Sequence, residues 1–392
     1  MLPVDVPAEW PALVPEPDLP RIMTAKPGEY AHGVLAERHP ALIEQVRAAH
    51  PYGPEQHTAL DALRAEITAG PVTPLPPDVP DALAWQAWMA PYLGGSWFEL
   101  PFLVAEAFFY RRLLEAVGFV RADVWQGVDP FAPAKTAELA ALGDLADKTP
   151  TRDDLLLAAV WGNQADLGFL LDHGGRAAPG QTGTGLLVDE SERLWEALDA
   201  AGPGRVLYVA DNAGREITAD LLLVDRLLTD GLSVVLHVKP MPTFVSDVTV
   251  PDVVAALAAL AGRGEAGRAV TRRLLAASRS GALDIRTHWF WTAPFSFHHL
   301  PPDLVAQVRA ATLVLLKGDL NYRRLVGDLW WPPTADFATA TAYLRAPVAV
   351  LRTLKSDVVA GLPADAVDRL DRNEPGWRTS GSHAVIQLGG MP

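Results

Sequence analysis

The sequence predicts an α/β protein in which a doubly wound, mostly parallel sheet forms a three-layer α/β/α unit, preceded by an all-helical N-terminal domain. The first observation is a series of short apolar runs after Pro203, each followed by a turn signal. The second is that helical patterns separate these runs, as in βαβ units. The third is that residues 29–202 are helical in pattern. We therefore divide the chain into a proline-rich extended arm (1–28), a helical domain (29–202) and an α/β domain (203–392).

The helical domain is predicted from apolar residues at 3.6-residue spacing, with few β-branched runs. Clusters of proline and glycine separate the helices. One segment stands out because it has a dense apolar and aromatic face. The predicted helices are Tyr30–His50, Glu55–Gly70, Asp81–Leu93, Phe98–Gly118 (the aromatic one), Asp153–His173 and Glu190–Ala200.

The strands of the α/β domain are predicted from runs that are apolar on both faces, which is typical of a parallel sheet buried between two helical layers. A last run near the C-terminus is predicted to add one more strand. The predicted strands are Arg205–Ala210, Ser233–Lys239, Leu283–His288, Thr312–Leu316, Val348–Leu351 and His383–Leu388.

Composition excludes several classes of function. The 392 residues contain no cysteine, so disulfides, thiolate zinc sites, iron–sulfur clusters and thiol nucleophiles are absent. The net charge of −14 argues against a nucleic-acid partner, which requires a basic surface, and against a polybasic membrane-surface protein. An anionic substrate would therefore have to be held by a local cluster of cations.

We also expect no membrane segment. No stretch approaches 18 uninterrupted apolar residues, the length that a membrane-spanning helix needs. The first twenty residues are rich in proline and acid and have no basic region, so they do not resemble a secretory signal. These observations favour a cytoplasmic location.

Polar side chains follow the predicted strands at the edge where an open α/β sheet binds its ligands. Asp211 and Asn212 follow the first strand, and Asp247 follows the second. Carboxylate and amide oxygens are ligands that suit Mg²⁺, Mn²⁺ or a similar divalent ion. Each residue alone could be a helix cap or a turn residue. Their joint placement favours a metal site.

Positive charges lie at the same edge. Lys317, Arg323 and Lys355 follow the later strands. With Lys239, which ends the second predicted strand, three of the six lysines of the chain lie at strand ends. The turn Lys317–Asn321 opens a helix, whose first N–H groups favour an anion. A metal beside a site for an anion is the equipment of phosphoryl chemistry.

Three features leave alternatives open. Glu216 and Asp220 lie four residues apart on one face of a predicted helix. They are either a solvated acidic stripe, or Glu216 is a carboxylate near the metal and Asp220 supports it. The segment Trp161–Asp166 is either a helix kink or a set of residues that orients the ligands. Glu106, on the aromatic helix, is either a functional buried carboxylate or the partner of one of the two arginines that follow on that helix.

Several familiar sites are excluded by their missing motifs. The sequence has no G-x-G-x-x-G opening a βαβ unit, no P-loop, no H-E-x-x-H and no G-x-S-x-G. Asp211-Asn212 also lacks the D-x-D spacing of haloacid-dehalogenase-type phosphatases.

The motifs taken together resemble the DUF89 family of damage-control phosphatases. Further matches in the helical half, at Ala105–Arg112 and Trp161–Leu167, extend the resemblance from about residue 30 to the end. The Arg-Thr-x-Lys element near the C-terminus is similar to the motif of one subfamily within this family. The motifs at the strand ends are Asp211–Gly214 (DNAG), Phe244–Thr249 (FVSDVT), Lys317–Arg323 (KGDLNYR) and Arg352–Lys355 (RTLK), with Glu216 and Asp220 between the first two.

The resemblance implies a divalent-metal-dependent phosphatase, with Mn²⁺, Ni²⁺ or Co²⁺, or alternatively Mg²⁺, as the ion. The substrate would be a small phosphorylated metabolite, such as the sugar phosphate fructose 1-phosphate. Asp211, Asn212 and Asp247 would bind the metal, and Asp211, Asp247 and Lys355 would be catalytic. Glu216 matches a position linked to a proposed S-adenosylmethionine site. The implied substrate contacts are Asp211, Asn212, Glu216, Asp319, Leu320, Asn321, Tyr322, Arg323 and Lys355.

Two rival functions follow from the same features. One is an S-adenosylmethionine-dependent protein carboxyl O-methyltransferase, although the first strand lacks the glycine-rich loop that would help to hold that cofactor. The other is a non-catalytic metal- or metabolite-binding protein. Two residues depart from the family pattern, since Thr243 stands where tryptophan is common and His383 where an aromatic residue is usual. We expect neither to touch a proposed ligand.

Overall fold

The computed structural model describes residues 12–143, 150–162 and 185–390. Its centre is a seven-stranded sheet with the strand order β1-β7-β6-β5-β2-β3-β4, and all neighbours are parallel except β6 and β7. This confirms the predicted mostly parallel sheet. The strands are β1 Leu186–Asp189, β2 Arg205–Val209, β3 Ser233–Val238, β4 Leu283–Thr287, β5 Leu313–Lys317, β6 Val348–Thr353 and β7 Ala384–Gly389.

The helices of the described ranges are numbered in chain order. A π-helical turn, Val34–Arg38, joins the first two. They are α1 Tyr30–Gly33, α2 His39–Ala49, α3 Pro54–Ala69, α4 Ala82–Met89, α5 Phe102–Ala116, α6 Ala132–Ala140, α7 Arg152–Trp161, α8 Ser191–Ala201, α9 Arg215–Thr229, α10 Val250–Ala261, α11 Gly264–Ser280, α12 Pro302–Ala310, α13 Gly318–Val326, α14 Phe337–Thr341 and α15 Ala364–Asn373.

The central strands are buried on both faces. In β2, Val206 and Tyr208 pack in the core with α7 and α9–α11, whereas Leu207 and Val209 pack on the opposite face with α12–α14. Burying one such side chain contributes roughly 1.5–3 kcal/mol. The two-sided burial explains why these strands read as continuous apolar runs.

The strand order places a topological switch point between β2 and β5. From β2 the chain winds through β3 to β4 in one direction, and from β5 it winds to β6 in the other. The helices that follow β2 and β5 leave toward opposite faces of the sheet, so a crevice opens at the carboxyl ends of these two strands. The predicted site residues follow these ends.

The helical region has a core of its own. The ring of Phe108 on α5 lies 5.4 Å from the ring of Trp85 and 5.6 Å from the ring of Trp97, measured between ring centres. Helix α5 begins at Phe102, later than predicted, because a 3₁₀ turn at Trp97–Glu99 and then Pro101 precede it. Nearly all of α5 is buried, which agrees with its dense aromatic face.

Two elements were not predicted. Strand β1 is four residues long and partly exposed at the sheet edge, and α6 is short and rich in alanine. Because β1 pairs with β7, the sheet takes in residues from the predicted helical domain, and the division at 202 stays a prediction. The predicted helix Asp153–His173 begins as α7, but most of its second half lies outside the described residues.

The predicted arm lies against the body of the protein where it is described. Arg21 pairs with Leu329 and Met23 with Pro101 in isolated β-bridges. Across the described ranges, no helix has both the length and the apolar character to cross a membrane.

Candidate metal and phosphate site

The segments that follow β2 and β3 are joined by backbone hydrogen bonds. Val248 N donates to Asp211 O (2.9 Å), Ala213 N donates to Ser246 O (2.7 Å), and Asn212 pairs with Asp247 in an isolated bridge. The three residues predicted to bind a metal, Asp211, Asn212 and Asp247, therefore lie together. All three are buried, with exposed fractions of 7%, 8% and 1%.

The amide of Asn212 is fixed by three contacts. Its Nδ2 donates to Asp211 Oδ2 (2.9 Å) and to Glu216 Oε2 (2.8 Å). Its Oδ1 accepts from Ser246 Oγ (2.5 Å). Because the amide orientation is fixed from both sides, Asn212 links the carboxylates of Asp211 and Glu216 to the segment after β3.

Gly318 lets the start of α13 approach Asp211 closely. It has φ +81°, which favours glycine, and a Cβ at this position would lie 1.9 Å from Asp211 Oδ2. A larger residue would displace the carboxylate. The Lys-Gly-Asp turn thus joins the ends of β2 and β5 into one site.

The carboxylates of this cluster resist ionisation. Burial raises the pKa of Asp211 well above its usual range, and the charges of Glu216 and Asp247 raise it further against the opposing effect of Lys239 and Lys355. Burial also raises the pKa of Asp247, although Lys239 and the Thr243 hydroxyl oppose it. The protein therefore concentrates negative charge here without fully compensating it.

This arrangement fits a divalent cation. An ion would supply the positive charge that the buried carboxylates lack, and the donors are the hard oxygens that such ions prefer. In the described ranges, no group of three or more His, Cys, Asp or Glu side chains is placed to hold a metal ion by itself. That Asp211, Asp247 and the Asn212 amide together hold the ion stays a prediction.

Lys317 stabilises a pair of acids beneath this cluster. Its Nζ lies 3.3 Å from both Glu216 Oε1 and Asp220 Oδ1, and it also donates to Ala159 O. Glu216 and Asp220 are 6% and 0% exposed, so they are not a solvated stripe. Burial raises the pKa of Asp220 to about 7 against the charge of Lys317. Lys317 therefore neutralises buried acids, whereas the sequence had suggested that it faces an anion.

The strand ends of β5 and β6 form the other half of the site. Asp319 Oδ1 accepts hydrogen bonds from Arg352 Nε (2.8 Å) and from the backbone N–H of Lys355 (3.0 Å). Burial works against the charge of Asp319, but Arg352 and Arg323 outweigh it and lower its pKa. Lys355 is partly exposed, and no carboxylate in the described residues forms an ion pair with it. Lys355 is thus a cation that can meet an anion.

Arg323 is held between the two halves of the protein. Its Nε lies 2.7 Å from Asp328 Oδ1, its Nη1 lies 2.6 Å from Glu106 Oε2, and its guanidinium stacks over the ring of Phe102. Glu106 therefore pairs with an arginine of the α/β layer and not with the arginines on its own helix. The predicted contact of Arg323 with substrate stays a prediction, and its donors already serve these partners.

The residues before Arg323 are also buried. Asn321 Nδ2 donates to Lys317 O (2.8 Å) and Ala210 O (3.2 Å), which ties α13 to the end of β2. Tyr322 Oη donates to Ala360 O (3.2 Å), and Leu320 is 7% exposed. The predicted substrate contacts of these residues stay predictions. The first backbone N–H groups of α13 lie at the crevice. The side chains of Asn321 and Tyr322 hold this end of the helix in place.

One expectation is wrong. Thr243 does touch a proposed ligand, because its Oγ1 donates to Asp247 Oδ2 (2.8 Å). His383, the second departure, pairs with Glu374 (2.7 Å). Asn163 and Asp166, whose roles the sequence left open, lie outside the described residues.

Sequence reasoning assigned no role to three residues around Asp247. Ser246 contacts Asn212, Lys239 Nζ lies 3.6 Å from Asp247 Oδ2, and Lys135 Nζ donates to Asp247 O (2.8 Å). The scarcity of lysine was the available signal, since four of the six lysines of the chain contact the site or line its edge. It could not assign Lys135, which is distant in sequence.

Comparisons with known proteins show the family to which the chain belongs. Residues 34–370 match the family model described as the damage-control phosphatase ARMT1-like domain. The protein named damage-control phosphatase ARMT1 from Danio rerio is 30% identical, over 94% of this chain and 97% of its own length. Its namesake from Rattus norvegicus is 31% identical, over 84% of this chain and 86% of its own.

A solved structure shares the fold. The crystal structure of a DUF89 family protein from Pyrococcus horikoshii has a TM-score of 0.51 and covers 92% of this chain and 98% of its own, at 13% identity. The resemblance drawn from the motifs is thereby confirmed. The chain belongs to the damage-control phosphatase ARMT1-like family, whose members are metal-dependent phosphatases.

Proposed function

We propose that this phosphatase hydrolyses small sugar phosphates, of the kind of fructose 1-phosphate, with Mn²⁺, Ni²⁺ or Co²⁺, or alternatively Mg²⁺, at the strand ends. One observation carries the proposal. The buried, undercompensated carboxylates Asp211 and Asp247 lie beside a cation, Lys355, that is not paired with a carboxylate of the described residues. A cation site beside an anion site suits a phosphate monoester.

Each part of the site has a role in this proposal. Asp211, Asn212 and Asp247 hold the ion, which when bound supplies Lewis-acid polarisation of the phosphoryl group. The N–H groups at the start of α13 and the Lys355 ammonium bind the other phosphoryl oxygens. The attacking group is either water or the carboxylate of Asp211, and trapping of a phosphoenzyme by rapid quench separates the two routes.

Remaining contacts with the sugar are assigned to the segment 319–323. In this proposal Asp319, Leu320 and Asn321 contact the substrate chiefly through the backbone. Tyr322 and Arg323 border it from their buried positions. Glu216 supports Asn212 through the 2.8 Å hydrogen bond. This support favours the phosphatase over an S-adenosylmethionine-dependent methyltransferase, for which Glu216 would have to contact the cofactor.

The test is phosphate release from a panel of phosphorylated metabolites, with each of Mn²⁺, Co²⁺, Ni²⁺ and Mg²⁺ and with a chelator. We expect turnover of sugar phosphates with at least one ion and none with the chelator. A calorimetric titration with S-adenosylmethionine should give no heat of binding. Metal binding without turnover of any sugar phosphate would contradict the proposed substrate class.

A further inference from the structure

The turn that presents Asp247 has an unfavourable backbone. Phe244 and Val245 have φ values of +46° and +69°, so two consecutive residues other than glycine occupy the left-handed region. This region is unfavourable for residues other than glycine, and a β-branched side chain such as valine fits it least well. The turn therefore needs contacts that hold it in this shape.

Apolar contacts with the helical region hold one side of the turn. The ring of Phe244 lies 4.8 Å from the ring of Tyr110 on α5, and Phe244 and Val245 pack against the core of the helical region. On its other side, the turn carries Ser246 and Asp247 to Asn212. The turn thus joins the helical core to the proposed metal ligands.

A buried lysine from the helical region supplies the polar anchor. Lys135, on α6, is 5% exposed, and its Nζ has three partners for its three protons. They are Asp247 O (2.8 Å), Asp252 Oδ2 (2.9 Å) and Asp129 Oδ2 (2.8 Å). Asp252 also accepts a hydrogen bond from Thr249 N (2.8 Å) at the start of α10. Lys135 therefore links the turn to the helix that follows it.

We propose that Lys135 is a positioning residue that holds the strained turn so that Asp247 faces Asp211 and Asn212. Its ammonium binds the backbone carbonyl of Asp247 and leaves that side chain free to act as a ligand. The role rests on the proposed metal site and goes beyond it, because it makes the affinity for the ion depend on a helix outside the sheet. Support around a metal ligand is commonly worth 10- to 100-fold in metal affinity.

Calorimetric titration of the purified full chain with Mn²⁺ tests this role directly. We expect Lys135→Met to bind Mn²⁺ at least about tenfold more weakly than the wild type. Lys26→Met removes the same charge at an exposed site, where the side chain is 75% exposed, and should leave the affinity unchanged. An affinity of Lys135→Met within twofold of the wild type would overturn the proposal.

The strain gives a second readout. Glycine adopts φ +69° without penalty, so Val245→Gly should recover at least about threefold of the lost affinity when added to Lys135→Met. Because glycine at a positive φ also relieves strain in the folded state, urea denaturation of both variants measures whether the recovered affinity merely follows the free energy of unfolding. A double variant that binds no better than Lys135→Met would therefore contradict the role.

Two provisions keep the test decisive. If Lys135→Met does not fold, Asp129→Asn removes one charge partner of the ammonium and should weaken Mn²⁺ binding in the same direction, by about threefold. An unchanged affinity would overturn the proposal. The measured quantity is Mn²⁺ binding and not turnover. A wild type that binds Mn²⁺ but hydrolyses no sugar phosphate would therefore contradict the proposed function. The role of Lys135 would still be decided by the affinities of its own variants.

Discussion

The two halves of the site bury the same kind of residue with opposite consequences. At the ends of β2 and β3, burial raises the pKa values of Asp211 and Asp247. At the ends of β5 and β6, the side chain of Asp319 is largely buried, at 13% exposure, but Arg352 and Arg323 lower its pKa. Burial is common to both halves. The difference is whether the protein itself supplies the compensating charge.

This difference supports different roles for the two halves in the proposed function. The β2–β3 half keeps its carboxylates undercompensated, which suits the capture of a cation from solution. The β5–β6 half neutralises its own carboxylate and thereby fixes the segment that carries Lys355. In the proposed function, the first half binds the ion and the second holds a cation in place for the anion.

The largest expected effect comes from Asp247→Asn. Asparagine keeps the shape of the residue but removes one of two carboxylates, so Mn²⁺ affinity should fall by more than about 100-fold, beyond the range of supporting contacts. Phosphate release should fall to background. Calorimetry and a phosphate assay measure both, and circular dichroism should show an unchanged fold.

A matched control makes this result specific. Asp225 is also buried, at 7% exposure, and pairs with Arg273 (2.5 Å) away from the site. Asp225→Asn should lower stability and leave Mn²⁺ affinity as it is. If the two variants lost affinity equally, the charge of Asp247 would have no special role in binding.

Asp319→Asn probes the self-neutralised half. Breaking a buried ion pair costs about 3–5 kcal/mol, so the free energy of unfolding should fall by that amount at pH 7, with Mn²⁺ affinity within about twofold of wild type. Denaturation by urea measures the first quantity and calorimetry the second. A large loss of Mn²⁺ affinity would mean that the two halves are not separate in function.

The pH dependence of this variant has a defined sign. Because the folded-state pKa of Asp319 lies below its unfolded value of about 3.9, its contribution to stability is present above about pH 4 and is lost as the pH falls through the folded-state pKa. The difference in unfolding free energy between wild type and Asp319→Asn should therefore shrink on acidification below about pH 4. A difference that grew in acid would contradict the paired state of Asp319.

The next effect is that of Lys355→Ala. Loss of a charged hydrogen bond costs about 1.5–3 kcal/mol, which corresponds to a roughly ten- to hundred-fold lower turnover of sugar phosphates. Mn²⁺ should still bind. Lys355→Arg should rescue little, because a planar guanidinium does not replace a compact ammonium at a fixed distance. Wild-type turnover in Lys355→Ala would make the Arg-Thr-x-Lys element a structural turn.

The sequence predicted the parts of the fold that rest on local pattern. The central strands and α5 were recognisable because their residues are apolar on every face that the structure buries. Strand β1 was not, since four partly exposed residues carry no such signal. Strand β7 runs antiparallel to β6 and follows it after a long connection. No local pattern in the sequence indicates the direction in which β7 runs.

Within the site, residue type and strand-end position were enough to bring Asp211, Asn212 and Asp247 together. They could not show which cations remain available. Lys317 and Lys355 both lie at strand ends. Only the three-dimensional contacts show that Lys317 is paired with two acids of α9, Glu216 and Asp220. Lys135 reaches Asp247 across more than a hundred residues, so no spacing rule could have selected it.

The smallest expected effect comes from Thr243, whose hydroxyl reaches Asp247 from within the strained turn. Thr243→Val keeps the size and branching of a residue that is 4% exposed and removes the hydrogen bond. A hydrogen bond to a charged group is worth about 1.5 kcal/mol at the low end, so Mn²⁺ affinity should fall by up to about tenfold. Thr243→Ser retains the hydroxyl and should bind nearly as the wild type does. Equal affinities for the valine and serine variants would show that the carboxylate of Asp247 is oriented by the backbone alone, and the half of the site at β2 and β3 would then owe its geometry to Lys135 and the turn.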